Sequence, residues 1–378
     1  MEDIEAQARE WTTSSTEALK LVLAGREDEA EFSPTFTYPI FGDEELVFGY
    51  QGLEFTLKFD STTLLPLLNV GFSKKLEELV QGNPEDPLVE VLPREELYRD
   101  SEKWNQRRLK EREEFKIPGQ MVKQFQTEDS TYVIHKVAVK DAIEFHRRLQ
   151  VFVLLFIEAG SYIEEDDRWD LYVVYDKETN DFCGFCTVYP YFWFKNATTH
   201  DSIESYTPLR KRISQFVVLP PYQGKGLGKN LYNAIVDECM TDEKVRQVTV
   251  EDPSEAFDDL RDRCDLARVY DQLVEDAQFK APFDEEYINQ LVERTKLTER
   301  QAIRCVEMAL LHKMEIPSKA YKLQLKRRLY LRNREGLADK TSDEVKELLD
   351  GTYRKVIEDY ERIMTGVKLD TQPKRVKV

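Results

Sequence analysis

The 378-residue chain is short of several things, and each shortage removes a class of protein. It has five cysteines, Cys183, Cys186, Cys239, Cys264 and Cys305. An odd, scattered set of this kind does not make a disulfide framework and fits a reducing compartment. Long apolar runs are missing. The longest, Val151 to Ile157, falls far short of the ~20 residues that span a bilayer, so no membrane segment is expected. The start, MEDIEAQAREW, is acidic and lacks the apolar stretch of a signal peptide. There are four histidines, in no spaced set, and Cys183-Gly184-Phe185-Cys186 has no second ligand pair; no metal site is expected. Positive charge is also in deficit. A net charge of −18 repels nucleic acid and favours cationic partners such as basic peptides.

What remains is 41% hydrophobic, enough for a sizeable core and, at this length, two or three domains. Residues 1–130 carry strand signals: FSPTFTYPIFG (32–42), LVFGYQGLEFTLKF (46–59) and LLNVGFS (67–73) are rich in β-branched and aromatic residues broken by Gly and Pro. Residues 94–115 read as a charged surface helix. The middle, 131–264, alternates element types. A strand at 131–139 is followed by Asp141 at an N-cap position and a helix to about Ser161. A strand pair follows at 169–176 and 182–194, then a strand at 213–220, a glycine-rich turn, a helix at 228–240 and a strand at 246–251. From about 265 to 378 the pattern is helical and ends in a basic tail. The fold class expected is α+β.

The central motif is Gln223-Gly224-Lys225-Gly226-Leu227-Gly228, after an apolar strand and opening a helix. Glycines let backbone amides approach one anion, and a helix N-terminus adds partial positive charge. A Walker A loop needs GxxxxGK[ST] and a dinucleotide loop GxGxxG; neither is present. The turn resembles the QxxGxG loop of the GNAT acyltransferases, which grips the pyrophosphate of coenzyme A.

Longer strings narrow the resemblance. YPIFGDEELVFGYQGL (38–53), FHRRLQVFVLLFIEAGSYI (145–163), SQFVVLPPYQGKGLG (214–228) and VEDPSEAFDDLRDR (250–263) together resemble the catalytic subunits of type B histone acetyltransferases, over about residues 10–310. Leu227 departs from the family, which often has His there; backbone amides make the phosphate contact, so little changes. The resemblance implies an N-terminal substrate-recognition domain (1–130) and a GNAT acyl-CoA N-acyltransferase core (131–264); the helical C-terminal domain (265–378) is read from its residue pattern, and beyond about 315 the resemblance says nothing.

It also implies a site that uses acetyl-CoA and no metal. Phe216, Val217 and Val218 would pair with the pantetheine arm, and Gln223, Gly224, Lys225, Gly226, Leu227, Gly228 and Lys229 would hold the pyrophosphate. Ser254 and Arg263 would lie near the coenzyme, although Arg263 is equally placed to pair with Asp259. Glu251 is the expected general base. It follows a strand and precedes Pro253, with Asp252 and Glu158 in support, and Glu158 stands amid apolar Leu155, Phe156, Ile157 and Ala159. Asp43, Glu44, Glu45, Trp169, Tyr189, Pro190 and Tyr191 match substrate-binding positions. The implied partners are a histone tail peptide, a histone dimer or tetramer, and a WD40-repeat histone chaperone subunit docking on 196–208, with neither nucleic acid nor membrane. The implied location is nucleus and cytoplasm. Two rival readings stay open: a histone-escort subunit that no longer catalyses, and an acyltransferase for small amines.

Overall fold

A computed structural model describes residues 10–25, 28–128, 130–164, 166–194, 196–198, 208–314 and 316–369. Most of the segment 196–208 and the basic end Lys374-Arg375-Val376-Lys377 lie outside them. The strands in chain order are β1 (Thr12–Ser14), β2 (Leu19–Ala24), β3 (Glu29–Phe32), β4 (Leu46–Phe48), β5 (Tyr50–Gln51), β6 (Glu54–Asp60), β7 (Pro66–Gly71), β8 (Lys74–Lys75), β9 (Gln120–Gln126), β10 (Thr131–Ala138), β11 (Asp170–Asp176), β12 (Phe182–Phe192), β13 (Leu209–Val218) and β14 (Val245–Val250). The chain forms two compact units, one from residues 1–190 and 212–234, the other from 191–211 and 235–378.

In the first unit, β3-β2-β6-β7 form a small sheet in which β2 and β6 run parallel and the other neighbours antiparallel. The larger sheet runs β13-β12-β11-β10-β9, with β9 to β12 antiparallel in succession. Sequence pattern tells the two apart. β6 alternates, burying Phe55, Leu57 and Phe59, as a strand with one covered face does. β11 and the first part of β12 are buried almost without a break, the pattern of strands covered on both faces. Phe59, Phe152 and Phe182 meet in one core, with ring centroids 4.9 and 6.5 Å from Phe152. That core runs from Ala18 to Leu219, so the β-rich N-terminal segment and the central strands share it.

Four local expectations need correction. Strand-like 32–42 contains a short helix, Tyr38–Phe41, because Pro39 fits its first turn and the Glu45 carboxylate accepts its leading amides. The helix expected from Asp141 to Ser161 is a 3-10 turn, Val139–Ala142, then helices Ile143–Leu149 and Val151–Phe156 separated at Gln150. Asp141 lies inside the turn and caps nothing. Residues 94–100 precede the charged helix, which spans Ser101–Glu114 with Asp100 accepting from the Glu102 and Lys103 amides. The strand β9, too polar to show a pattern, completes the sheet.

The second unit is mainly helical. Five helices, Glu255–Glu275, Glu285–Thr295, Glu299–Lys313, Lys319–Arg332 and Ser342–Thr365, start at Ser254, Asp284, Thr298, Ser318 and Thr341. Each cap oxygen accepts the amide three residues on, satisfying a donor that the helix leaves open. The first begins ten residues earlier than the 265 boundary expected from the sequence. Lys296, in a left-handed conformation, donates to the Cys239, Met240 and Asp242 carbonyls where helix Leu227–Thr241 ends. Inside this core, buried Glu307 accepts from Arg328 (2.8 and 2.6 Å) and from the Tyr360 hydroxyl (2.7 Å).

Candidate active site

The glycine turn is built by its neighbours. Leu219, buried just past β13, donates to the Cys183 carbonyl (2.9 Å). Pro220–Tyr222 make a 3-10 turn, and the Gln223 side chain reaches back to the Val218 carbonyl (2.8 Å). Gly224 and Gly226 have φ of 75° and 80°, and a Cβ added at either would meet nothing within 4 Å. Side-chain bulk is therefore excluded there by backbone conformation, while the space in front of the loop is open. Leu227 is buried and starts the helix; Gly226 accepts from the Asn230 amide and from its side chain, both at 3.1 Å. Amides ahead of Asn230 lie in a first turn where the helix supplies no acceptor, next to the positive end of its dipole. An anion as large as a pyrophosphate suits this geometry.

β13 reaches the loop beside a second glycine. A Cβ on Gly184 would stand 2.5 Å from the Val217 carbonyl oxygen, so β12 approaches β13 closely only because this position is glycine. This is the structural content of Cys183-Gly184-Phe185-Cys186: both cysteines are buried thiols, and burial raises the Cys183 pKa. Among the described residues, no group of three or more His, Cys, Asp and Glu is arranged to hold a metal ion. Phe216 and Val218 are half-buried and Val217 is buried.

The three acids sit at the ends of elements. Glu158 is not buried in a helix: the helix stops at Phe156, Ile157 closes the turn onto Val153 (3.0 Å), and Glu158 is exposed beyond it. Ala159 then takes φ of 54° and donates its amide to the Tyr38 hydroxyl. Glu251 and Asp252 are exposed at the end of β14, with Asp252 at φ of 32°, an uncommon value for a non-glycine residue. Val245 and Val248 are buried, Val250 only partly, and the Val248 amide goes to the Lys296 carbonyl (2.9 Å). Ser254 caps the next helix by accepting the Phe257 amide (3.2 Å). Arg263 donates to Asp259 and to the Ile363 carbonyl, both at 3.3 Å.

On the substrate side, Asp43 and Glu44 are exposed, whereas Glu45 is engaged. Its carboxylate accepts from the Thr37 amide, the Thr37 hydroxyl and the Tyr38 amide. The Thr37 amide contributes most to holding its carboxyl below the ordinary value of 4.5. Trp169 and Tyr189 pack with ring centroids 4.7 Å apart. Tyr189 donates to Asp166 (3.0 Å), and Arg168 both pairs with Asp166 and lies 4.7 Å over the Tyr189 ring. Pro190 is half-buried and Tyr191 exposed. Sequence reading missed Tyr38, Asp166, Arg168 and Gly184. Only Gly184 left a signal, a glycine inside an otherwise apolar strand.

The first unit carries Asp43 to Glu45, Glu158, Trp169, Tyr189, Pro190, Phe216 to Val218 and the loop Gln223 to Lys229; the second carries Tyr191, Glu251, Asp252, Ser254 and Arg263.

Comparison with known proteins gives the chain its relatives. Residues 11–158 match the profile described as histone acetyl transferase HAT1 N-terminus, 128–257 the acetyltransferase (GNAT) family and 262–315 the fungal HAT1 C-terminal region. The chain is 41% identical to a histone acetyltransferase type B catalytic subunit of Debaryomyces hansenii, over 95% of this chain and 91% of the relative. It is 39% identical to that of Kluyveromyces lactis, over 97% and 95%. A solved aminoglycoside acetyltransferase from an uncultured soil metagenomic sample aligns with 34% of this chain and 80% of its own, at 18% identity and a TM-score of 0.25.

Proposed function

Because the chain belongs to the catalytic subunits of type B histone acetyltransferases, and is thus an acetyltransferase with a GNAT domain, we propose that its acceptor is a lysine in the N-terminal tail of newly made, non-nucleosomal histone H-four, and that transfer from acetyl-CoA is direct. A lysine amine with a pKa near 10.4 costs roughly 4 kcal/mol to deprotonate at pH 7.4. Glu251 takes that proton, directly or through a water, with Asp252 and Glu158 supporting it. A backbone amide of β13 stabilises the thioester oxygen as charge develops. The neutral amine attacks the thioester carbon, the C–S bond breaks and coenzyme A leaves as its thiol after taking up a proton, so no covalent enzyme intermediate is required; the amides of Gly224 to Lys229 hold the pyrophosphate.

The observation that carries this reading is the strand end at Glu251–Asp252. Two exposed carboxylates follow β14, and the second holds a positive φ. Backbone conformations of that kind are costly and gather where function over-determines them. Exposed Asp43 and Glu44, with Trp169, Tyr189, Pro190 and Tyr191, suit a basic, flexible tail. The test is acetyl transfer to histone-tail peptides, wild type beside Glu251→Gln, across pH. The reading requires that the variant lose most turnover while still binding acetyl-CoA; a variant of full activity ends the assignment of Glu251.

The same reading extends to a WD40-repeat histone chaperone subunit, docking on 196–208, and to residence in both nucleus and cytoplasm. Deleting 198–206 should abolish co-purification with that subunit; retained binding refutes the docking site.

A further inference from the structure

The turn that carries Glu158 is held by a strap from the N-terminal segment. The Thr35 and Phe36 amides both donate to the Leu155 carbonyl, at 2.9 and 3.2 Å, on the last turn of helix Val151–Phe156. Two residues later the Tyr38 hydroxyl accepts the amide of Ala159, next to Glu158. Ala159 is left-handed, a conformation that needs outside support in a residue with a Cβ. The strap is anchored in turn. Glu45 accepts from both Thr37 and Tyr38, Thr37 also touches the hydroxyls of Ser15 and Thr16 (2.7 Å each), and the Glu45 carbonyl accepts from the Ser15 amide (2.8 Å). One hydrogen-bonded path therefore runs from Glu45 through Tyr38 to the Glu158 turn.

We infer that Tyr38 and Glu45 are positioning residues for acetyl transfer, fixing where the Glu158 carboxylate points. The inference rests on Glu158 taking part in proton removal, as proposed above. It changes the expected role of Glu45, from an acid that meets a basic tail to one that holds the backbone of the strap. Only its neighbours Asp43 and Glu44 are left to face a cationic peptide.

The experiment is steady-state kinetics on the full chain, with an H-four tail peptide and acetyl-CoA, for wild type, Glu158→Gln, Tyr38→Phe, Glu45→Gln and Glu45→Asp. Thermal melts check that each variant is folded. Tyr38→Phe removes one hydrogen-bond acceptor and keeps the ring, so kcat should fall about three- to tenfold with both KM values unchanged. Glu45→Gln should do the same, and Glu45→Asp should recover part of the loss. In a Glu158→Gln background Tyr38→Phe should have no further effect, since residues acting through one group are not additive; a merely structural role would still add its own cost. A raised peptide KM with intact kcat in Glu45→Gln makes Glu45 a direct tail contact and overturns the inference. So does wild-type kcat in both Tyr38→Phe and Glu45→Gln while Glu158→Gln is impaired, and in that case the role of Glu158 survives. Full turnover in Glu158→Gln removes the role of Glu158 and the inference with it.

Discussion

Gln223 donates its side-chain amide to the carbonyl of Val218, 2.8 Å away and five residues back along the chain. The side chain that opens the glycine loop is thus turned toward the strand, and its task is to fix how the loop leaves β13.

Gln223→Leu should therefore weaken the coenzyme site without altering chemistry. Losing one hydrogen bond of about 1 kcal/mol corresponds to a rise of roughly fivefold in the KM for acetyl-CoA, with kcat nearly constant. Initial-rate kinetics at saturating peptide measure both.

Gly184→Ala should cost more than a methyl group suggests. The new Cβ would press on the Val217 carbonyl, which is backbone and cannot swing aside. Overpacking of this kind costs about 1–3 kcal/mol, and the displaced strand is the one that leads into the loop. Denaturant unfolding and the acetyl-CoA KM should worsen together, whereas Gly336→Ala, in open space within a short helix, should worsen neither.

Acid should reveal the strap. Glu45 is held below its ordinary value of 4.5 by the Thr37 amide first, then by the Thr37 hydroxyl and the Tyr38 amide. On acidification the unfolded chain binds this proton before the folded one does. The stabilisation is complete above the ordinary value and disappears as pH falls through the lower folded value. Glu45→Gln should be less stable than wild type at neutral pH and lose less on acidification below about pH 5, as followed by urea midpoints.

In the helical unit, Asp262 is buried and accepts from Arg304, which also lies 5.1 Å over the Tyr360 ring. Arg304→Met leaves that carboxylate with the neutral Gln301 side-chain amide (3.1 Å) and no charged partner, and should cost about 3–5 kcal/mol. Adding Asp262→Asn should recover part of it, because the buried charge goes, and Asp359, the other partner of Arg304, keeps Arg362. Chemical denaturation of the two variants decides this.

How much of this was legible in the sequence follows from the range of each cause. The loop Gln223 to Gly228 was readable because its glycines, preceding strand and following helix are contiguous. The caps Thr298 and Asp100 are local in the same way, each set by a side chain two or three residues from the amide it accepts. The end of the helix before Glu158 was not readable, because the apolar run continues through Ile157 while the chain is stopped by Ala159, Gly160 and a tyrosine some 120 positions away. Glu45 looked like a surface acid since its partners, Thr37 and Tyr38, become donors only once that short helix forms. Strand β9 is polar, and its place at a sheet edge leaves no apolar period to detect. The helix starting at Glu255 opens among charged residues, so its early turns read as part of the preceding acidic motif.

The first unit is assembled from two stretches of chain, and the second stretch brings Val217 and Leu219 into its core. During synthesis β12, with its buried run from Phe182 to Val188, emerges before β13 is free to lie beside it. A chain that ends near residue 190 is thus an incomplete sheet with apolar surface open to solvent, a state prone to aggregation. Chaperone demand during translation should peak over that interval and fall once β13 has emerged, and an expression fragment ending near residue 190 should be insoluble where one ending after the loop helix is not.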